Sequence, residues 1–162
     1  FIAYWPSMPV GHGMTLGELA TLFNEEKRIG AKLSIVEMRG WVRDAWWDET
    51  ALMWVNPSPN MRNLTQATMY PGIGAVEYAN VSVGRGTDAP FERIGAPWIH
   101  GSQLAAWLNA LELPGVRFSA TRFTPRESRF ANEACSGVQI EVVDRNALEP
   151  VELGLALAWM LL

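Results

Sequence analysis

Ser102-Gln-Leu-Ala-Ala-Trp-Leu-Asn-Ala-Leu-Glu-Leu-Pro-Gly-Val-Arg-Phe-Ser-Ala-Thr-Arg-Phe123 contains the helix-to-strand transition that decides the fold. Apolar side chains recur at helical spacing in its first half: Leu104, Trp107, Leu108 and Leu111. Ser102 is a residue type that caps helices, and Pro114-Gly115 stops one. The stretch therefore predicts a helix from Ser102 followed by a strand over Val116–Phe123.

Downstream, a second strand adjoins the first. Val138, Ile140 and Val142 alternate with polar Gln139 and Glu141, which predicts a half-buried strand over residues 138–143. Pro150 suits the first turn of a last helix. The apolar run 153–162 is shorter than the roughly 20 residues of a membrane-spanning helix, so we expect a core helix and no membrane span.

Upstream, the clearest signal is Thr15-Leu-Gly-Glu18, whose spacing predicts a capping box and a helix that ends near Gly30. Lys32–Met38 alternates and predicts a strand. Residues 39–62 are rich in tryptophan and proline, which indicates a long loop.

Leu64–Tyr70 has a helical pattern that Pro71 is expected to interrupt before residues 75–79. Short strands are predicted over Val81–Val83 and Phe91–Ile94, on either side of a glycine loop. Together these elements predict an α/β fold with α+β character, in which helices cover a mixed β-sheet.

Composition excludes several classes of function. Hydrophobic residues make up 49% of the 162 and charged residues 19%, a balance typical of a globular domain. The net charge of -4, without a basic run, argues against nucleic acid as a partner. His12, His100 and Cys135 lack metal-ligand spacing, so neither a metal nor a cofactor is expected.

The segment Glu77–Phe91 carries the most chemistry. Glycines on both sides of Arg85 let the backbone approach a ligand closely, and the guanidinium is a planar fork suited to a carboxylate or phosphate. A tight turn in which Arg85 pairs with Asp88 or Glu92 explains the same pattern. Glu77 is a candidate general acid or base, with a capping or solvated carboxylate as the alternative.

Two further segments present polar groups. Pro57-Ser-Pro-Asn-Met61 is stiff and lies near tryptophans, an arrangement against which a sugar ring could stack and form hydrogen bonds, although tryptophans also fill cores. His12 precedes a helix N-terminus, where a neutral, hydrogen-bonding imidazole is favoured, and a purely structural histidine is the alternative.

Many short motifs occur in an order that resembles the NamZ-type exo-β-N-acetylmuramidases, formerly a family of unknown function. They are Pro9-Val-Gly-His-Gly-Met-Thr15 with Gly17-Glu18, Pro57-Ser-Pro-Asn60, Tyr70-Pro71-Gly72, Glu77 with Asn80, Gly84-Arg-Gly-Thr87, Pro90-Phe91, Gly95-Ala-Pro-Trp98 and Phe123-Thr-Pro125. The resemblance covers nearly the whole chain.

The resemblance implies a two-domain protein whose Rossmann-like N-terminal domain is absent from this chain. Residues 1–13 would be the tail of that domain or a linker, and residues 14–162 a C-terminal α/β domain truncated at its last helix. The missing N-terminal domain would be the partner across an active-site cleft. Because the family's Glu-His-Gly segment, which would supply the catalytic acid, lies upstream, the fragment alone is expected to be inactive.

The implied activity is a bacterial glycosidase that releases terminal N-acetylmuramic acid from the non-reducing end of peptidoglycan fragments during cell-wall recycling. Secretion or a periplasmic location is also implied. A non-catalytic carbohydrate or cell-wall binding module is the alternative. The site residues expected from the segments above are Glu77 as a catalytic carboxylate and, for substrate binding, Arg85, Asn80, Thr87, Gly86, Asn60 and His12.

Overall fold

A computed structural model describes residues 8, 9 and 11–161 of the chain. The chain divides into two compact units, Phe1–Ala51 and Leu52–Leu162. Much of the predicted tail at residues 1–13 lies outside the described residues, as does Leu162 at the end of the predicted last helix.

The N-terminal unit contains helix α1, Leu16–Glu26, which begins as the sequence predicts. Thr15 is the N-cap: its hydroxyl accepts from the Glu18 amide at 3.2 Å, and the Glu18 carboxylate accepts from the Thr15 amide at 2.8 Å. A short 3-10 helix, Trp47–Glu49, is the one regular element that this unit's described residues add. The long tryptophan-rich segment is otherwise a loop, as predicted.

The predicted strand over Lys32–Met38 is wrong. Residues 32–38 form no ladder with any described residue, and Val36 is 94% exposed. The start of this segment is held by a side chain instead of by a neighbouring strand: Asn24 forms hydrogen bonds with both the amide and the carbonyl of Ala31. An alternating pattern needs a partner strand to become a sheet, and residues 32–38 have none among the described residues.

Among its described residues, the C-terminal unit has three α-helices and three strands. In chain order its elements are α2 Leu64–Val76, β1 Arg93–Ala96, α3 Gly101–Asn109, β2 Val116–Phe123, β3 Cys135–Val142 and α4 Pro150–Met160. The sheet order is β1-β3-β2, with Gly95 opposite Gly137 and Ala120 opposite Val138. This confirms the predicted α+β character.

The sheet is antiparallel at both of its pairings, whereas the sequence predicted a mixed sheet. Strands β1 and β2 run in the same direction, since each is antiparallel to β3, and α3 connects them as a crossover. Strand β3 occupies the position between them, so the two parallel strands form no ladder with each other.

The core lies between the sheet and the helices. Val138 and Ile140 of β3 point into it, as the alternation predicts, together with Leu104 and Leu108 of α3. Gly101 lets the start of α3 approach β3 directly, because a Cβ there would meet the Gly137 carbonyl oxygen at 2.3 Å. Pro150 occupies the first turn of α4, as predicted.

Helix α2 runs unbroken through Pro71, which corrects the predicted interruption. Pro71 is exposed, whereas the adjacent Gly72 is buried against α4. Packing on the buried side therefore outweighs the hydrogen bond that the proline removes.

Three local boundaries also differ from the prediction. Helix α3 has His100 as its N-cap, so Ser102 lies within the first turn. The predicted strand Val81–Val83 is reduced to a single bridge between Ser82 and Gly95. Phe91 has a φ of 66°, which is incompatible with a strand, so β1 starts two residues after it.

Candidate functional site

Arg85 and Glu77 form an ion pair in the C-terminal unit. Glu77 is the C-cap of α2, and the Arg85 Nε donates a hydrogen bond to its Oε1. The side chains are 29% exposed for Arg85 and 12% exposed for Glu77. The predicted alternatives are not the partners: Asp88 accepts from Arg93 at 2.7 Å and Glu92 accepts from Gln66 at 2.7 Å.

Aromatic rings hold this ion pair. The Arg85 guanidinium lies 5.3 Å from the centroid of the Phe91 ring, which makes an edge contact with Tyr70 at 5.0 Å between centroids. Burial, followed by the negative charge of Glu77, raises the pKa of Tyr70 above its usual value. The shift leaves the Tyr70 hydroxyl protonated at neutral pH, as at its usual pKa, so it is able to donate a hydrogen bond.

The glycines that flank Arg85 serve close backbone contacts. Gly84 and Gly86 have φ values of 79° and 78°, where side chains are strained. A Cβ on Gly86 would meet the Glu127 amide nitrogen at 2.5 Å. The loop is further held by a hydrogen bond from the Arg126 amide to the Gly86 carbonyl at 3.0 Å. These close contacts are with the chain itself, and the predicted close approach to a ligand stays a prediction.

The ion pair opens onto a cavity of about 930 Å³, which we call the Arg85 cavity. Its lining residues are Pro59, Asn60, Glu77, Tyr78, Arg85, Glu127, Ser128, Arg129 and Phe130. Three of the predicted site residues, Asn60, Glu77 and Arg85, are thus brought to one opening.

Asn60 is the buried polar residue of this cavity. It is 7% exposed, and its Oδ1 has no hydrogen-bond partner among the described residues. A turn fixes it, in which the Met61 amide donates to the Ser58 carbonyl at 3.0 Å. A buried, unpaired acceptor costs roughly 1–3 kcal/mol, so this oxygen is well suited to receive a donor from a ligand.

The remaining predicted residues lie elsewhere. Gly86 and Thr87 line a different cavity, and the Thr87 hydroxyl donates to the Gly84 carbonyl at 2.6 Å. Asn80 is exposed and lines neither cavity. His12 belongs to the N-terminal unit, where its Nδ1 accepts from the Met14 amide at 3.0 Å.

Sequence reasoning missed the segment 127–130, which contributes four residues to the Arg85 cavity. The charged run Arg126-Glu-Ser-Arg129 between two strands was an available signal. The backbone conformation of this run could not be predicted from the sequence, because Ser128 and Phe130 adopt φ values of 67° and 60° although neither is glycine.

The described residues also bear on metal binding and on membrane insertion. Within the described part of the chain, no group of three or more His, Cys, Asp or Glu side chains is arranged to hold a metal ion. Over those same residues, none of the helices combines the length and apolarity needed to cross a membrane.

One cavity of the C-terminal unit therefore brings together an arginine–carboxylate pair and an amide oxygen that is unpaired among the described residues, a combination of groups suited to a polar small molecule. Two family models match the chain: the C-terminal region of the exo-β-N-acetylmuramidase NamZ over residues 68–162 and its N-terminal region over residues 1–65. The chain belongs to the NamZ exo-β-N-acetylmuramidase family, which confirms the resemblance found in the sequence.

Individual relatives agree with this assignment. The chain is 47% identical, over 96% of its length, to the peptidoglycan β-N-acetylmuramidase NamZ of Bacillus subtilis, of which it spans 37%. A crystal structure of a DUF1343 family protein from Bacteroides fragilis is 32% identical with a TM-score of 0.88, covering 95% of this chain and 41% of that one.

A second DUF1343 family structure from Bacteroides fragilis is 26% identical with a TM-score of 0.67. The match covers 90% of this chain and 39% of the Bacteroides fragilis chain. These relatives are bacterial, and the chain is a bacterial protein of the same family. The chain thus spans less than half the length of each.

Proposed function

We propose that this chain is part of an exo-β-N-acetylmuramidase, a glycosidase that releases terminal N-acetylmuramic acid from the non-reducing end of peptidoglycan fragments during cell-wall turnover. Both matched family regions are described as parts of such an enzyme, and the Bacillus subtilis relative carries that activity in its name. The single observation that supports it most is the convergence of Arg85, Glu77 and Asn60 at one cavity.

Arg85 recognises the lactyl carboxylate in this proposal. Its Nε is engaged by Glu77, while its two terminal nitrogens have no hydrogen-bond partner among the described side chains and backbone atoms. That leaves one edge of the guanidinium for a bidentate contact with a carboxylate. The lactyl group is what distinguishes N-acetylmuramic acid from N-acetylglucosamine, so this contact selects between the two sugars.

Asn60 receives a donor from the same sugar. The acetamido group carries one N–H and the ring carries hydroxyl groups, and either can satisfy the unpaired Asn60 Oδ1. The free protein leaves this oxygen without a partner among the described residues, so a bound sugar would gain the contact without displacing an internal one.

Glu77 is the candidate second carboxylate. Glycoside hydrolysis generally uses a pair of carboxyl groups, and the other would come from the Glu-His-Gly segment that the family resemblance implies upstream. Glu77 accepts a hydrogen bond from the Arg85 guanidinium. Its carboxylate could therefore either hold Arg85 in position or act as a general base that takes a proton from water.

The remaining predicted residues have supporting roles in this proposal. Gly86 and Thr87 hold the loop that carries Arg85, through the contacts of Gly86 with Arg126 and of Thr87 with Gly84. Asn80 and His12 also stay proposed substrate-binding residues: Asn80 is exposed in the C-terminal unit, and His12 belongs to the N-terminal unit.

The experiment measures release of a chromogenic group from an N-acetylmuramic acid glycoside by the full-length protein. Glu77→Gln is expected to lower kcat by roughly 10²-fold or more if the carboxylate takes part in proton transfer. Glu141→Gln, an exposed carboxylate on β3, is the matched control and should keep parental activity.

Two outcomes contradict parts of the proposal. If the parent protein binds the sugar but releases nothing, it is the carbohydrate-binding module that the sequence left as the alternative. If Glu77→Gln keeps full kcat, Glu77 has no catalytic role. The chain without the upstream region is expected to release nothing in either case.

We also propose that the protein acts outside the cytoplasmic membrane, where peptidoglycan lies. Cell fractionation followed by immunodetection of the full-length protein tests this location. Recovery of the protein in the culture medium or periplasm is expected, and exclusive recovery in the cytoplasm would contradict it.

A further inference from the structure

A second cavity of the C-terminal unit contains a concentration of arginine side chains. It has a volume of about 640 Å³, and we call it the arginine cavity. Its charged lining residues are Arg62, Arg93, Arg122, Arg126, Asp88 and Glu127. Glu127 also lines the Arg85 cavity, so the two openings are neighbours on the same unit.

The charge of this cavity opposes that of the whole protein. Four guanidinium groups face two carboxylates, although the chain has a net charge of -4. One of the carboxylates, Asp88, is already engaged by Arg93 at 2.7 Å. An excess of positive charge in a concave surface attracts anions.

Two of the arginines are available for a ligand. Arg62 donates to the carbonyls of Pro59 and Thr87, and Arg93 donates to Asp88 and Gln139. By contrast, the guanidinium groups of Arg122 and Arg126 have no hydrogen-bond or ion-pair partner among the residues that the structure describes. Each presents a planar set of N–H donors suited to the paired oxygens of a carboxylate or phosphate.

The backbone around these two arginines is well fixed. Arg122 lies in β2 opposite Ser136 of β3. Arg126 is tied to the glycine loop, because its amide donates to the Gly86 carbonyl at 3.0 Å. Thr124, which lies between them in the sequence and carries a hydroxyl, also lines the cavity. Donors held on a fixed backbone need less ordering when they bind a ligand.

We propose that the arginine cavity is a second anion site, which binds a phosphate or carboxylate group through Arg122 and Arg126. It is separate from the lactyl contact assigned to Arg85 and does not depend on the proposed function, since a protein without muramidase activity would still bind the anion. The chemistry common to both ligands is a group with two or more negatively charged acceptor oxygens.

The test is isothermal titration of the full-length protein with inorganic phosphate and, separately, with succinate. We expect saturable binding of at least one of them in the parent protein. The double variant R122Q/R126Q should lower the affinity for that anion on the order of tenfold or more. The reason is that a hydrogen bond between charged groups contributes more free energy than one between neutral groups. Binding of phosphate but not succinate would identify a phosphate site. Binding of succinate in competition with phosphate would show that the same site also takes a carboxylate.

The matched control is R39Q/R117Q, which removes the same charge from exposed arginines that do not line the cavity. Equal weakening in the two double variants would overturn the proposal, because the effect would then be one of net charge. Saturable binding of neither anion by the parent would also overturn it.

A measurement on the parent protein alone makes the outcome independent of how the variants fold. Amide hydrogen exchange in peptides spanning residues 122–127 should slow when the saturating anion is added, while α4 should be unaffected. Unchanged exchange over 122–127 under saturating conditions would place the bound anion elsewhere and reject the proposal.

Discussion

Asn60 is the single residue that argues most directly for the proposed binding site. An amide oxygen that is almost fully buried and unpaired among the described residues lowers stability, since the free energy of a lost hydrogen bond is not recovered. Such an arrangement is characteristic of a position where a ligand supplies the missing donor. Asn60 was predicted as a site residue from its neighbours Pro57 and Pro59, which stiffen the loop.

We predict that Asn60→Ala separates stability from binding. The free energy of unfolding should stay within about 1 kcal/mol of the parent or rise, because no described hydrogen bond is lost. Affinity for N-acetylmuramic acid should fall on the order of tenfold. Chemical denaturation and sugar titration of the full-length variant check both values. A large loss of stability with unchanged affinity would show that Asn60 is structural.

The limits of sequence reasoning at this scale are visible at Arg85. Its flanking glycines adopt the positive φ values that the sequence predicted, and the backbone there lies close to other parts of the chain. Its partner was not predicted, because Asp88 and Glu92 are nearer along the chain than Glu77. Packing of α2 decides the outcome by bringing its C-cap residue Glu77 to the guanidinium.

At the scale of elements, contacts between helices explain where the local rules failed. Pro71 and Gly72 predicted a helix break. Helix α2 nevertheless continues, and Gly72 lets α2 pack directly on α4. The converse occurred at Lys32–Met38, where an alternating pattern found no strand to pair with among the described residues. Elements whose own residues supply the signal, such as α1 with its capping box, were predicted correctly.

We predict that Gly72→Ala separates α2 from α4. A Cβ at Gly72 would lie 1.7 Å from the Pro150 carbonyl oxygen, so the helices must move, which costs about 1–3 kcal/mol or more. Gly74→Ala, in the same helix, meets only the Tyr70 ring at 3.6 Å and should stabilise α2 by about 0.5–1 kcal/mol. Thermal unfolding of both variants checks this. Equal melting temperatures would contradict the packing described for Gly72.

Helix α1 has a pH-dependent contact. The hydrogen bond from Arg43, and then that from the Thr15 amide, lower the pKa of Glu18 from 4.5 to about 2. A carboxylate whose pKa is lower in the folded state stabilises it above the unfolded value and loses that contribution as the pH falls. The stability from this contact is therefore complete above pH 4.5 and is lost as the pH approaches 2.

We predict that Glu18→Gln removes this part of the acid sensitivity. Glutamine still serves in a capping box, so the variant mainly removes the charge. Its stability should fall less than that of the parent between pH 4.5 and about 2, as measured by circular dichroism during unfolding. Glu26→Gln, at the end of the same helix, is the control. Parallel pH profiles for parent and Glu18→Gln would contradict the assigned contact.

At the scale of the whole molecule, the chain spans 37% of its Bacillus subtilis relative and includes matches to both family regions. The family models divide the chain between residues 65 and 68, and its compact units divide after Ala51. The boundary after residue 13 stays a prediction. Composition and periodicity alone predicted the α+β class, whereas the family was recognised from the order of short motifs spread along the chain.

The most direct test of the account is the sugar preference of Arg85→Ala in the full-length protein. We expect kcat/KM on an N-acetylmuramic acid glycoside to fall on the order of 30-fold or more, with a much smaller loss on the matching N-acetylglucosamine glycoside. Arg117→Ala should leave both values unchanged. Equal losses on the two sugars in Arg85→Ala, or no loss on either, would contradict recognition of the lactyl carboxylate by this guanidinium.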